Sequence, residues 1–266
     1  MNEINKTLYI PLYGKAAVSR KGVILRDPDA EKIWATEAFP VKGKSASRWL
    51  AYNMAMRARV FDDWTEEMLA LEQNALAVHI GCGLDSRCRR VTGPRSGWID
   101  ADLPEVIACR RRYYSEDEGY RMLSLDAADP EQLRRLPESP AAVAVLEGLS
   151  MYLTNAQLRA LLGTLGEKYP RLHVLMDVYT LFGARASRWK NPVNDVGVTR
   201  LYGVGDINAL VQDLPLRVKA EHSFTPARLV NELSGAERIP FQMLFTGRIY
   251  GRIYRLFELE SIQKTV

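Results

Sequence analysis

ALAVHIGCGLDSRCRRV, residues 75–91, decides the fold. Its first seven residues form an apolar run closed by Gly81, too short for a stable helix and suited to a strand buried on both faces. Gly81 and Gly83 then mark a tight turn, and a helical stretch follows. The same alternation repeats downstream. GWIDAD (97–102), RMLSLD (121–126), AAVAVLE (141–147) and LHVLMDVY (172–179) read as further strands. PEVIACRRRYY (104–114), PEQLRRL (130–136) and NAQLRALLGTLGEKY (155–169) read as the helices between them. Strands alternating with helices make βαβ units, and these predict an α/β fold with a doubly wound, mostly parallel sheet. Right-handed crossovers place the carboxyl ends of the strands on one edge.

Around that core, residues 1–73 have a helical pattern and are expected to form an N-terminal cap. Within them, segment 46–72 sets Trp49, Tyr52, Met56, Val60, Trp64 and Leu71 in an apolar stripe. Asp27-Pro28-Asp29 reads as a helix start. Beyond the fifth strand, GARASRWKNPVNDVGVTRLYGVG (183–205) is polar and glycine-rich and is expected to be an irregular lid. Helices over 206–213 and 225–234 and strands over 215–223 and 252–260 complete the expectation. The echo GRIYGRIYR (247–255) is too short for a repeat architecture. The 266 residues are read as one domain: a cap, then a core over 75–266.

Composition excludes several classes. Apolar residues are 47% and charged residues 26%, ordinary for a globular chain, and the net charge is only +4. The three cysteines (82, 88, 109) and three histidines (79, 173, 222) lack zinc spacing, so no metal site is expected. No apolar run reaches a membrane span, and a cytoplasmic protein with reduced thiols is expected. Arg110-Arg111-Arg112-Tyr113-Tyr114 could contact nucleic acid, but a charge run on a helix is usually a solvated face, so no nucleic-acid partner is expected.

Chemistry concentrates where the strands end. A glycine turn lets a ligand approach backbone closely. Asp100 and Asp102 lie 19 and 21 residues beyond Gly81, the distance at which an acid can accept both hydroxyls of a ribose. Asp102 is also placed to cap the helix opened by Pro104. Asp126 can accept an adenine amino group or serve a turn. Glu147, closing the fourth strand, needs a partner if buried. A dinucleotide fingerprint would want glycine at position 86, where serine stands, which disfavours a nicotinamide-dependent oxidoreductase. Together these residues describe a pocket for an adenosine group without phosphates.

ARVFDDW (58–64), HIGCGLDSRCRRV (79–91), WIDADLPEVIACRRR (98–112), SLDAADPEQL (124–133) and LEGLSMYLT (146–154), with TLYIPLYGKA (7–16) and ILRDPDA (24–30), resemble the leucine carboxyl methyltransferase family, especially its bacterial branch of polyketide O-methyltransferases. The resemblance implies a class I methyltransferase fold and S-adenosylmethionine as cofactor. It assigns Arg59, or alternatively Arg57, to the cofactor's carboxylate. Gly81 and Gly83 would line the same region, with Lys15 nearby. Asp102 would hold the ribose, with Asp100 as second choice. Asp126 and Ala127 would hold adenine, and Glu147 with Gly148 the methionine end. His79 departs from the small or polar residue usual there and is read as a core histidine. The residues after 180 do not match the eukaryotic enzymes that methylate a protein C-terminus.

The expected reaction is O-methyl transfer to a small molecule, such as a polyketide-like metabolite, at a carboxylate or hydroxyl. A carboxylate is ionised at neutral pH and a phenol is not, and no general base is evident in the sequence, which favours the carboxylate. Tyr152, Arg185 and Arg188 are candidate substrate contacts. A cofactor-binding relative without activity is the remaining alternative, and the oligomeric state is left open.

Overall fold

The computed structural model describes residues 7–37, 39–41, 43–190 and 201–262, with the backbone alone at 44, 188–190, 248 and 249. Among the described residues, α1 (Tyr9–Lys21), α2 (Pro28–Glu37), a 3-10 turn (Gly43–Ala46) and α3 (Arg48–Leu71) precede the sheet. The α2 start is the one expected at Asp27, whose Oδ1 accepts from Ala30 N at 2.9 Å. The 24 residues of α3 make a rod about 36 Å long. Of the expected stripe, Tyr52, Met56, Val60 and Trp64 are buried and Trp49 is half-buried, whereas Leu71, the last residue of the helix, is exposed.

The sheet has seven strands in the order β3-β2-β1-β4-β5-β7-β6. They are β1 (Leu76–Ile80), β2 (Gly97–Asp102), β3 (Tyr120–Ser124), β4 (Ala141–Leu146), β5 (Arg171–Tyr179), β6 (Leu216–His222) and β7 (Tyr254–Ser261). The first five pair in parallel. β7 runs antiparallel to both its neighbours. The five strands read from the repeated alternation are therefore the parallel ones, the strands expected over 215–223 and 252–260 are β6 and β7, and β1 is the switch point from which the order runs outward both ways.

Connecting helices are α4 (Arg87–Arg90), α5 (Pro104–Arg110), α6 (Pro130–Leu133), α7 (Asn155–Lys168) and α8 (Leu181–Lys190). They continue with α9 (Ile207–Val211), α10 (Ala227–Val230), α11 (Gly235–Phe245) and α12 (Gly247–Gly251). A reciprocal capping box between Thr154 and Gln157 starts α7. All six residues of β4 are buried, as a central parallel strand covered on both faces requires. On one face Ala77, Val143, Val145 and Leu175 pack against the cap helices. On the other, Val78, Ile80, Ala144 and Leu146 pack with Leu158, Leu161 and Leu165 of α7. No helix among the described residues is long and apolar enough to cross a membrane.

Two expectations are corrected. The lid over 183–205 begins as helix: residues 183–190 belong to α8, and 191–200 lie outside the described residues. Gly183 marks a close approach to the Ile253 carbonyl, where a Cβ would sit 2.1 Å from the oxygen, so the glycine that read as loop chemistry is a packing requirement. The helix expected over 225–234 is only the turn α10. The longer α11 follows it and carries Pro240 in its interior, a residue that reads as a breaker because it removes a backbone donor.

Candidate active site

A cavity of about 850 Å³ opens at the carboxyl ends of β1–β4 and extends beneath the cap and the C-terminal helices. Its floor is the turn after β1. Gly81 and Gly83 adopt φ of +74° and +53°, the left-handed region that glycine enters without strain. The turn is fixed to the neighbouring strand: Gly81 N donates to Ala101 O at 2.8 Å, and Gly83 N donates to Asp102 Oδ2 at 2.8 Å. Asp102 Oδ1 accepts from Leu103 N, also at 2.8 Å. Burial pushes the Asp102 carboxyl up despite these two donors, and the group lines the cavity with no cation bonded to it among the described residues.

Leu103, Val106, Leu125 and Ala127 form an apolar stretch of wall between Asp102 and Asp126. Asp126 is held by its own turn: Oδ1 accepts from Ala128 N at 2.8 Å. At the end of β4, Glu147 sits between two guanidinium groups. Arg57 Nε donates to its Oε1 at 2.9 Å, and Arg87 Nη2 to its Oε2 at 2.5 Å. Burial opposes ionisation there, but Arg87 and Arg57 outweigh it and hold the carboxyl low. Lys15 pairs with Asp85 at 3.0 Å on the same floor. Gly148, at φ +68°, brings backbone against the Arg57 guanidinium, and its N–H donates to Asp177 Oδ1 at 2.7 Å.

The structure brings Lys15, Arg57, Gly81, Gly83, Asp102, Asp126, Ala127, Glu147, Gly148 and Tyr152 to one cavity. It does not bring Arg59 or Asp100. Arg59 sits two positions from Arg57, about 200° around the helix, and its half-exposed side chain pairs with Asp63 at 2.6 Å. Of the two arginines, only Arg57 lines the cavity. Asp100 lies one pleat deeper than Asp102 and is saturated by Arg110, by Tyr120 OH and by Trp98 Nε1, the latter two at 2.8 Å. Burial opposes its ionisation, but Arg110 prevails and the carboxyl is held at about 2. It is a structural ion pair, not a ribose ligand.

Arg110 is thus fully buried, and Arg112 and Tyr113 both bond Glu37, so the basic run is not a continuous exposed stripe. His79 is buried at the cavity's lining, its Nδ1 3.5 Å from Asp100. Arg185 points away from the cavity, although Ala186 and Ser187 of the same helix line it, and the side chain of Arg188 lies outside the described residues.

Sequence reasoning missed the outer half of the cavity. Trp49, Leu50, Asn53 and Met54 of α3 line it, with Tyr179, Leu244, Phe245, Tyr250 and Tyr254 from the chain beyond β4. Asp177, which bonds both Arg57 and Tyr254, was also missed. It is an acid near the end of an apolar strand, the same signal that singled out Glu147.

Comparison with known proteins agrees with this geometry. A family model described as leucine carboxyl methyltransferase matches residues 12–166. The chain belongs to the leucine carboxyl methyltransferase family. It is an S-adenosylmethionine-dependent methyltransferase. It is 28% identical over 238 residues, 88% of each chain, to the tetracenomycin polyketide synthesis O-methyltransferase TcmP of Streptomyces glaucescens. It is 36% identical over 130 residues, 45% of this chain and 43% of the other, to the S-adenosyl-L-methionine-dependent methyltransferase dpfgK of Gibberella zeae. Among solved structures, magnesium protoporphyrin IX methyltransferase (ChlM) from Synechocystis with bound S-adenosylhomocysteine superposes with a TM-score of 0.51. That match covers 87% of this chain and 94% of the other at 10% identity, a likeness of fold.

The donor set fits the cofactor. Asp102 offers free acceptor capacity for a diol, the wall between Asp102 and Asp126 is apolar enough for a purine, and Arg57 and Lys15 provide cations beside the acids Asp85 and Glu147 for an amino-acid end. Membership of this family replaces the nicotinamide reading.

Proposed function

We propose that this methyltransferase esterifies the carboxylate of a small, largely apolar molecule with a flat aromatic body. The observation that carries this reading is the lining of the outer cavity. Among the described residues there, the side chains are aromatic, aliphatic, thioether, amide or hydroxyl, with Ser47 and Ser187 among the last, and every lining carboxylate belongs to the cofactor half. A phenol, with a reference pKa of about 10, needs a base to become a nucleophile at neutral pH, whereas a carboxylate does not. The relationship to a polyketide O-methyltransferase supports O-transfer to a metabolite of that kind.

When bound, S-adenosylmethionine supplies a methyl group on a positively charged sulfur. The chain's residues bind and align. Arg57, Lys15 and Asp102 anchor the two ends of the cofactor. Trp49, Tyr179 and Phe245 exclude water from the acceptor. Tyr152 contacts the acceptor as a donor: burial pushes its phenol up to about 12 against a hydrogen bond with Thr7, so it keeps its proton. No proton need move when a carboxylate is the acceptor. Holding the reacting atoms in line can supply about 7–11 kcal/mol.

The test is turnover with S-adenosylmethionine and matched pairs such as naphthalene-2-carboxylate and 2-naphthol. The expected product from the acid is a methyl ester, cleaved by mild alkali and formed one-for-one with S-adenosylhomocysteine at a rate flat between pH 6 and 9. An alkali-stable ether, formed at a rate that climbs with pH, refutes the carboxylate reading in favour of the hydroxyl.

A further inference from the structure

The inner face of α3 presents Trp49, Asn53 and Arg57 at successive turns, and all three line the cavity. Adjacent turns are about 5.4 Å apart. Arg57 belongs to the cofactor end, through its pairs with Glu147 and Asp177. Trp49 belongs to the outer apolar half. Asn53 therefore stands at the junction, beside the place where donor and acceptor meet.

Asn53 is 1% exposed, and its Oδ1 accepts from Tyr250 OH at 3.0 Å. Burial raises the Tyr250 phenol well above its usual value, so its proton is present to make that bond. With the amide placed this way, Oδ1 takes the bond to Tyr250. Nδ2 then carries two N–H groups in a buried position, and it finds no hydrogen-bond partner among the described residues. Buried amide donors in folded proteins are nearly always paired, and an unpaired donor that lines a cavity is a group available to a ligand.

Resting on the carboxylate reading above, we propose that Asn53 Nδ2 is the donor that binds one oxygen of the acceptor's carboxylate and so selects carboxylates over apolar analogues. One oxygen accepts from Asn53 while the other keeps its lone pairs for attack. Tyr250 is the positioning residue, because it acts through Asn53 by holding the amide in this orientation.

The experiment measures binding to the S-adenosylhomocysteine-loaded protein, with naphthalene-2-carboxylate and naphthalene as probes. Wild type should hold the carboxylate more tightly than the hydrocarbon. Asn53→Leu should raise the Kd for the carboxylate at least tenfold, about 1.4 kcal/mol, with the naphthalene Kd unchanged. Asn53→Asp, nearly isosteric, puts a carboxyl where the donor stood and should weaken the carboxylate probe more than Asn53→Leu does. Tyr250→Phe should fall between wild type and Asn53→Leu. Unchanged S-adenosylhomocysteine affinity shows that each variant is folded. An equal loss for both probes, no loss in either Asn53 variant, or a wild type that does not prefer the carboxylate overturns the proposal. Failure of the function itself reads differently: naphthalene-2-carboxylate would bind in an Asn53-dependent way and yield no ester.

Discussion

Replacing Arg57 with methionine isolates the charge on which the cofactor end is built. The side chain is buried, bonds Glu147 at 2.9 Å and Asp177 at 3.2 Å, and accounts for one of the two cations on Glu147. After the substitution Glu147 keeps Arg87, but Asp177 loses its cation and keeps only the Tyr254 hydroxyl at 2.5 Å and the Gly148 N–H at 2.7 Å. Removing one partner of a buried pair costs about 3–5 kcal/mol, because the other charge stays behind uncompensated. For a chain of 266 residues, that lowers Tm by roughly 6–10 °C. The loss carries a pH signature. Burial already pushes the Asp177 carboxyl above its ordinary value, with Arg57 opposing. Without Arg57 it rises further, and the native state holds a proton that the unfolded state releases. Stability then falls as pH climbs from the ordinary aspartate range toward the folded value. Urea unfolding of wild type and Arg57→Met at pH 5 and pH 8 reads both effects: the deficit should be larger at pH 8. A deficit below about 1 kcal/mol, or one equal at the two pH values, refutes the view that Arg57 compensates Asp177.

Arg59→Ala should leave S-adenosylhomocysteine affinity within twofold of wild type, measured by calorimetry. Its partly exposed pair with Asp63 should cost less than about 1 kcal/mol of stability. Saturation with S-adenosylhomocysteine at a hundred times its Kd should stabilise the protein by about 2.7 kcal/mol in thermal melts, while NAD should leave Tm unmoved. Acid should unfold the protein steeply. Asp100 is held at about 2 by Arg110 against burial, and Asp85 and Glu147 are likewise held low by their cations. Their stabilisation is complete above the ordinary carboxylate range and is lost as pH falls toward 2, so the urea midpoint should drop across pH 4.5–2.5. A flat midpoint over that window would show that these pairs are not formed.

The parallel half of the sheet was legible because a strand buried on both faces must be apolar throughout, and β1 and β4 advertise themselves as such. The acids at strand ends were legible for the complementary reason: a carboxylate closing an apolar strand needs a partner, whether a cation, a ligand or the backbone N–H groups that Asp102 and Asp126 engage. What failed was rotation and depth. ARVFDDW matches a motif without saying which of Arg57 and Arg59 faces inward, and the turn of α3 decides for Arg57. Asp100 and Asp102 share one strand face, so alternation cannot separate them, and only the arrival of Arg110 from α5 shows that Asp100 is covered. The outer cavity was invisible because Asn53, Leu244 and Tyr250 come from three helices whose meeting no local pattern encodes.

The cavity's two halves draw on the chain unequally. Gly81, Asp102, Asp126, Glu147 and Arg57, which the proposed function gives to the cofactor, all fall within residues 12–166, the stretch matched by the family model. On the acceptor side Trp49, Leu50, Asn53 and Met54 also fall within it, whereas Tyr179, Leu244, Phe245, Tyr250 and Tyr254 fall after it. Cofactor groups sit on strand ends and on a helix packed against the sheet, where a change disturbs a buried ion network. Several acceptor groups sit on the short helices α11 and α12, where Met243 and Leu244 are exposed and a substitution disturbs little else. Alteration of the acceptor half can therefore change which molecule is methylated at small cost to the fold, whereas alteration of the cofactor half costs both binding and stability. Asn53 bridges the two: its backbone belongs to α3, within the matched stretch, and its amide is oriented by Tyr250, outside it.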